Sequence, residues 1–303
     1  GIPPAPAPVL LGRRDGHALF YREKVNVLFG DPESGKTWIA LAALAEALRA
    51  GRRGAFIDLD HNGGAEVVQR LILLGAPVDA LRSKGAFLYR EPEDAEELVA
   101  TVQTLRRWRP AAVVVDSLGE LLPMLGLSSN SPDDYTGAHR RILSPLATAG
   151  AVVIGIDHMP KSDEARAHGQ TGTVAKKRAV NGVTLRVTLT EAFAPGRGGA
   201  ASMTVEKDRP GGVRAHCPGA GKNPPAGRFV MSVDDQGLTS WEVTAPRLDV
   251  PSNGGPDADV AELDSLVPPP RTKRDVQDRL GWGSNRAQNA LARWRELRKD
   301  DLQ

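Results

Sequence analysis

The sequence predicts an α/β protein built on a mainly parallel sheet with an antiparallel extension, followed by a small basic helical unit. Three observations carry this expectation. From about residue 25 to 190, short apolar runs alternate with helix-length amphipathic ones, the rhythm of strands joined by crossover helices. After Leu189 the texture changes to strands separated by Gly and Pro turns, as hairpins require. Beyond a Pro-, Gly- and Asp-rich stretch at 245–270, helical spacing returns together with an excess of cations.

In order along the core, the strand candidates are Val25–Phe29, Ala55–Leu59, Ala112–Val115, Ala151–Ile156 and Val183–Leu189, rich in β-branched residues. Helical spacing covers Lys36–Arg49, Gly64–Leu74, Asp94–Trp108 and Asp134–Ala147. Glu93 and Asp94 stand at the start of the third helix and Arg106, Arg107 and Arg109 at its end, the polarity a helix dipole prefers. The extension comprises Ala201–Glu206, Val213–His216, Arg228–Val233 and Leu238–Val243. Two short helices, about Lys273–Leu280 and Ser284–Arg298, flank Gly281-Trp282-Gly283. The expected organisation is a leader (1–24), an α/β core (25–244), a flexible linker (245–270) and a basic helical domain (271–303).

The chain has 303 residues, of which 41% are hydrophobic and 25% charged, and this excludes a wholly disordered or fibrous protein. The longest apolar stretch, Trp38 to Leu48, is interrupted by Glu46 and falls short of the roughly 20 residues that a membrane span needs. The single cysteine, Cys217, cannot form an internal disulfide or a cysteine cluster for a metal, which points to a reducing, cytoplasmic setting. Gly1 and the prolines at 3, 4, 6 and 8 read as a stiff leader or a cut end. The net charge of +2 says little until the charges are located.

The strongest chemical signal is Gly30-Asp31-Pro32-Glu33-Ser34-Gly35-Lys36-Thr37, a complete G-x-x-x-x-G-K-T between one apolar strand and one helix, with Trp38 next in line. Backbone N–H groups in such a loop can wrap a phosphate chain, Lys36 can reach its outer phosphates, and the Thr37 hydroxyl can ligate Mg²⁺. Val113-Val114-Val115-Asp116 ends another buried strand. A carboxylate there lies on the edge where open α/β sheets bind ligands, so Asp116 suits the second magnesium contact. Hydrolysis also needs a group that orients water. Asp58 and Asp60 finish a strand, alternation puts both on one side, and Asp60 is favoured because it is nearer the end. His158, ending Val152–His158, is the candidate sensor of the outermost phosphate.

These residues resemble the RecA-like P-loop ATPases and, within them, the hexameric replicative helicases of the DnaB and plasmid RepA types. Glu206-Lys207-Asp208-Arg209-Pro210-Gly211-Gly212 looks like the Lys-x-Arg element of those helicases. Residues two apart on a strand face the same way, so Lys207 and Arg209 could both reach a phosphate bound by a neighbouring subunit. The resemblance spans roughly Leu10 to Val243. It implies a RecA fold, ATP and Mg²⁺ as ligands, sites between the subunits of a homo-oligomer such as a hexamer, and single-stranded DNA in a central channel. The water-activating residue of the RepA-like group is usually glutamate; Asp60 is one methylene shorter. Asp157-His158-Met159-Pro160-Lys161 is similar to the sensor region, and brings Lys161 near the connection from nucleotide to DNA.

RecA-like rings touch nucleic acid through the connections after the second-carboxylate strand and the sensor strand. The first, about Gly119 to Asp133, has no basic residue. The second, Lys161 to Asn181, carries His168–Thr173 and then Lys176, Lys177 and Arg178, cations that could neutralise phosphates. The tail from Arg271 to Lys299 has a charge balance of +6. Its helices, with Asn285, Arg286, Gln288 and Asn289 opening the second, look like a helix-turn-helix or winged-helix unit that could meet duplex DNA, or equally like a module gripping a partner subunit. The expected function is a DNA-stimulated ATPase of the replicative helicase kind from a phage, plasmid or integrated element. The rival is a nucleotide-dependent loader, regulator or recombinase that does not unwind DNA.

Overall fold

The computed structural model describes residues 6–128, 131–159, 174–219, 221–246, 255–264, 266, 268–280 and 282–300. Contacts divide the chain into two units, 1–246 and 247–303. In the first unit the strands are β1 (Leu10–Gly12), β2 (Ala18–Phe20), β3 (Lys24–Gly30), β4 (Gly54–Asp58), β5 (Phe87–Arg90), β6 (Ala112–Asp116), β7 (Val152–His158), β8 (Val183–Ala194), β9 (Gly198–Asp208), β10 (Pro225–Val233) and β11 (Thr239–Thr244). The helices are α1 (Lys36–Arg49), α2 (Gly64–Leu73), α3 (Val78–Arg82), α4 (Ala95–Trp108), α5 (Leu118–Met124), α6 (Pro132–Ala138), α7 (Ser144–Thr148) and α8 (Val174–Ala179), with a π-helical turn over His139–Leu143.

Among the described residues, nine strands form one sheet in the order β11-β10-β9-β8-β3-β7-β6-β4-β5. Strands β8, β3, β7, β6, β4 and β5 run parallel; β9, β10 and β11 add antiparallel. Side-chain alternation on the parallel strands feeds two cores. Leu28, Phe56, Val114 and Ile154 pack with α1 and α2, whereas Val27, Ile57, Val115 and Val153 pack with α4, α5, α6 and α7. Helix α1 is apolar on nearly all sides because it is enclosed; Ile39 to Ala45 are all buried. The start of α4 is capped as its acidic residues suggested, with the Asp94 carboxylate accepting from the Glu97 N–H at 2.9 Å.

Register decides the rest. Gly30 pairs with His158, Asp58 with Asp116, and Asp116 with Ile156. The carboxyl ends of β3, β4, β6 and β7 therefore finish on one edge. A fully buried asparagine, Asn26, locks the middle strand. Its amide donates to the Tyr21 and Val153 carbonyls at 3.0 and 3.1 Å, and its oxygen accepts from the Tyr21 N–H at 3.1 Å.

Several expectations change. Part of the supposed leader, residues 10–20, is the hairpin β1–β2, and buried Arg13 ties it to β10 by donating to the Ala226 carbonyl at 2.7 Å. Strand β5 and helix α3 were not anticipated: Phe87–Arg90 is too short to show alternation. Val213–His216 is not a strand but ends in a 3₁₀ turn at Arg214–His216, because the Val213 N–H donates to the Tyr21 hydroxyl and the Arg214 N–H to Asp208. The connection after β6 is not an open loop, since α5 occupies 118–124. No helix among the described residues is long and apolar enough to cross a membrane.

In the second unit, α9 (Gly255–Asp264) lies within the stretch read as linker, and is followed by α10 (Lys273–Leu280) and α11 (Ser284–Asp300). Leu263, Val276, Trp282, Ala287, Ala290, Leu291 and Trp294 form its core. Residues 247–254 of the linker and Gly281 lie outside the described residues.

Replacing Asn26 with Ala strands backbone groups of two neighbouring segments. The variant is expected to unfold in denaturant with a loss of about 1–3 kcal/mol, about the cost of leaving buried polar groups without partners, at an unchanged denaturant slope.

Candidate nucleotide site

The loop between β3 and α1 closes around the ammonium of its own lysine. Lys36 is 4% exposed, and its Nζ donates to the Gly30 carbonyl at 3.1 Å, the Asp31 carbonyl at 2.6 Å and Ser34 Oγ at 3.4 Å. Every one of these acceptors is uncharged. Burial lowers the Lys36 pKa, and the Asp116 carboxylate opposes that shift. A buried cation bonded only to neutral oxygens suits an incoming polyanion, so this lysine fits a phosphate chain.

Backbone shape supports the same fit. Gly35 has φ +94°, and a Cβ there would sit 2.4 Å from the ring of Phe193. A Cβ on Gly30 would lie 2.3 Å from the Val187 carbonyl oxygen. Both glycines are demanded by the close approach of strand β8.

Behind the loop, Thr37 Oγ1 donates to Asp116 Oδ2 at 3.2 Å. This Thr–Asp pair has the hard oxygen donors that Mg²⁺ takes. Among the described residues no group of three or more His, Cys, Asp or Glu could hold a metal alone. An ion at Thr37 and Asp116 would therefore draw its further oxygens from water or a ligand's phosphates. Asp116 is nearly enclosed, and burial followed by repulsion from Asp60 pushes its pKa up to about 7. The peptide bond between Asp116 and Ser117 is cis.

Asp60 and Asp58 have separate fates. Strand β4 stops at Asp58, so the alternation expected to put both on one side does not extend to Asp60. Asp58 is buried and accepts from Asn62 Nδ2 at 3.1 Å, the Gly63 N–H at 3.2 Å and the Tyr89 hydroxyl at 2.8 Å, a structural knot at the start of α2. Asp60 lines the cavity, accepts from Ser117 Oγ at 2.7 Å, and has Oδ2 3.6 Å from His158 Nε2. Burial raises the Asp60 pKa, but the contacts with His158 and Ser117 outweigh it and hold the group below its ordinary value. Asp60 is thus kept ionised, as a water-orienting base needs to be.

These groups line a cavity of about 430 Å³ that includes Glu33, Ser34, Gly35, Lys36, Thr37, Trp38, Asp60, Asp116 and His158. Sequence reasoning missed Ser117, Asn62, Arg70 and Phe193. The first two follow chemistry-bearing strand ends; Arg70 on α2 and Phe193 on β8 are distant in sequence and gave no signal. A second cavity of about 570 Å³ shares Trp38, Arg70 and Phe193 with the first. There the Trp38 and Phe193 rings stack at 6.3 Å, and the Arg70 guanidinium lies 5.5 Å from the Trp38 ring.

Other expected site residues stand elsewhere. Lys207 is the next-to-last residue of β9, but its Nζ donates to the carbonyls of Arg178 at 3.2 Å and Val180 at 2.6 Å within its own chain. Arg209 lies one residue beyond the end of β9, exposed, with its N–H donating to the Gly182 carbonyl at 3.2 Å. Lys176 corrects the expectation of a cationic DNA loop. It lies on α8, 5% exposed, and pairs with the buried Asp157 carboxylate at 3.1 and 3.2 Å. Arg178 is exposed. Lys161, residues 168–173 and the side chain of Lys177 lie outside the described residues. Arg286 is likewise not a free base-reading group: it pairs with Asp259 at 2.8 Å and lies 4.0 Å from the Trp282 ring centre, pinning α11 to α9. Arg271, Lys273, Gln288 and Arg295 line a separate groove on this unit.

Loop, paired Thr and Asp, and flanking acid thus meet on the carboxyl edge of the parallel strands, and part of the chain that carries them is similar to known proteins. Over 126 residues, 41% of its length, the chain is 31% identical to the protein RecA of Mesomycoplasma hyopneumoniae strain 7448 and 32% identical to that of Chlorobaculum parvum. It is 34% identical over 124 residues to RecA of Rhodospirillum centenum. The matched regions span about a third of those proteins, from 32 to 35% of their length. No protein-family model matches the chain.

The raised Asp116 pKa has a consequence for the metal-free protein. Between pH 4 and 7 the unfolded chain has lost this proton while the folded chain keeps it, so stability falls as pH rises through that window. Asp116→Asn is expected to remove this part of the fall, on the order of a few kcal/mol, which thermal melts of both proteins at pH 5 and pH 8 in chelator will show.

Proposed function

We propose that the chain is an ATP-hydrolysing, DNA-acting protein whose site is completed by a neighbouring copy. The observation that carries the first half is the buried Lys36 ammonium with no charged hydrogen-bond acceptor, at the mouth of the cavity that Asp60, Thr37 and Asp116 also line. Lys36 would pass from the loop carbonyls to the outer phosphates of ATP, and the loop amides of 30–37 would take the remaining phosphate oxygens. Thr37 and Asp116 would hold Mg²⁺, which when bound supplies charge neutralisation on the phosphates. Asp60 would orient water, and His158 beside it would sense the outermost phosphate. The adjoining cavity at Trp38, Phe193 and Arg70 has the aromatic surface that suits a base.

For the second half, Arg209 is the best candidate for a group acting in trans, since its guanidinium is exposed at the end of β9. A neighbour's Arg209 would stabilise charge developing on the transferred phosphoryl group. We read the assembly as a closed ring of the replicative helicase type that moves along single-stranded DNA, with Arg178 and the segment around Lys161 and Lys177 toward the strand. The groove of the second unit would add contacts to phosphates, in a helix-turn-helix or winged-helix manner. The similarity to RecA favours a second reading, an open filament with a recombinase-like role.

The test is hydrolysis with and without single-stranded DNA. ATP turnover is expected to rise with DNA and to fall at least 100-fold in Lys36→Ala and in Arg209→Ala, in line with the size of such transition-state contacts. Mixing the two variants should restore part of the activity. Turnover unaffected by Lys36→Ala would overturn the proposal. Displacement of a labelled strand supports the helicase reading, and filaments in negative stain support the recombinase one.

A further inference from the structure

Outside the nucleotide cavity, Asp157, 1% exposed, and Lys176, 5% exposed, form a buried pair of opposite charges in the core unit. Isolated ions at such depth are costly, so each is held by the other. Neither lines the cavity. Their neighbours are informative. Asp157 is the residue before His158, and its Oδ1 accepts the His158 backbone N–H at 3.0 Å. His158 in turn faces Asp60 across 3.6 Å. On the far side, Lys176 is part of α8, and the carbonyls of Arg178 in its last turn and of Val180 just beyond it hold the ammonium of Lys207. Two residues on, the Arg209 N–H is bonded to the Gly182 carbonyl, in the same connection after α8.

We propose that Asp157 and Lys176 are positioning residues: through α8 they fix the Lys207–Arg209 segment relative to the His158 end of the chain's own nucleotide site. The path is continuous, from Asp60 through His158, Asp157, Lys176 and α8 to Lys207. On this account Lys207 is the tie that seats Arg209, and Arg209 alone reaches the neighbour. Two features beside the pair leave room for a second arrangement. The Tyr135 hydroxyl and His139 Nε2 are buried without hydrogen-bond partners. Tyr135 has its ring 5.7 Å from Lys176 Nζ, and His139 begins the π-helical turn. Unpaired buried polar groups next to an irregular helix are suited to exchanging partners.

This inference rests on the reading of Arg209 as a group acting in trans, and its test separates the two. The double variant Asp157→Asn/Lys176→Met removes both charges together, so neither is left buried alone. It should bind a fluorescent ADP within about twofold of wild type. Its ATP turnover should fall about 10- to 100-fold, the scale of a misplaced reacting group. Mixing it with Lys36→Ala, whose own site is dead but whose Arg209 is correctly seated, should restore turnover. Wild-type turnover in the double variant, or no recovery on mixing, overturns the inference while leaving the ATPase reading intact. A wild type that does not hydrolyse ATP overturns both. Should the double variant lose its cooperative melt, Lys207→Gln cuts the same path at an accessible position, and undiminished turnover there is equally fatal.

Discussion

The constraint on which the site depends is the burial of one ammonium without a charged hydrogen-bond partner. Lys36 sits under a loop whose own carbonyls are its acceptors, and burial weakens its hold on the proton. Nearby carboxylates, Asp116 first among them, oppose that loss without bonding to the ammonium, which leaves its hydrogen-bonding positions to neutral oxygens that phosphates could replace. Hydrogen bonds to the Gly30 and Asp31 carbonyls and Ser34 Oγ keep that ammonium in place, and the bare Cα of Gly35 lets Phe193 close over the loop. Preorganisation of this kind lets binding energy go to the phosphates instead of to ordering the loop.

Parallel register turns that one contact into a site. Because Gly30 aligns with His158 and Asp58 with Asp116, residues from three further strand ends arrive beside the loop without any long-range loop folding. Burial and proximity then set the charges. Burial, and then repulsion from Asp60, drives Asp116 toward neutrality, while Asp60, supported by His158 and Ser117, stays ionised. Such a division gives two positions built from the same residue type different chemistry. At position 60 the short aspartate side chain is braced by Ser117 Oγ at 2.7 Å.

Much of this was legible in the sequence because it is local. The G-x-x-x-x-G-K-T run, the apolar strand before it and the helix after it report one continuous segment, and the β6 carboxylate lies at the end of a run of valines. What the sequence withheld depends on tertiary pairing. Whether Asp58 or Asp60 opens to the cavity was settled by where β4 stops and by Tyr89, which comes from a strand too short to announce itself. Lys176, Lys177 and Arg178 read as one cationic run, yet Lys176 turns inward because Asp157 needs a counter-charge at the end of β7. Arg286 looked like a base-reading residue until α9, hidden in a Pro- and Gly-rich stretch, supplied Asp259 as its partner. Basic residues are read from sequence as surface; their burial depends on an acid elsewhere.

The most direct test of the central claim is amide hydrogen exchange across residues 30–37 with a non-hydrolysable ATP analogue and Mg²⁺. The account predicts strong added protection at these amides in the wild type, and none in Lys36→Ala at the same analogue concentration. Exchange in the loop that is unchanged by a saturating analogue would contradict it, because the amides and the ammonium would then have no phosphate chain to hold.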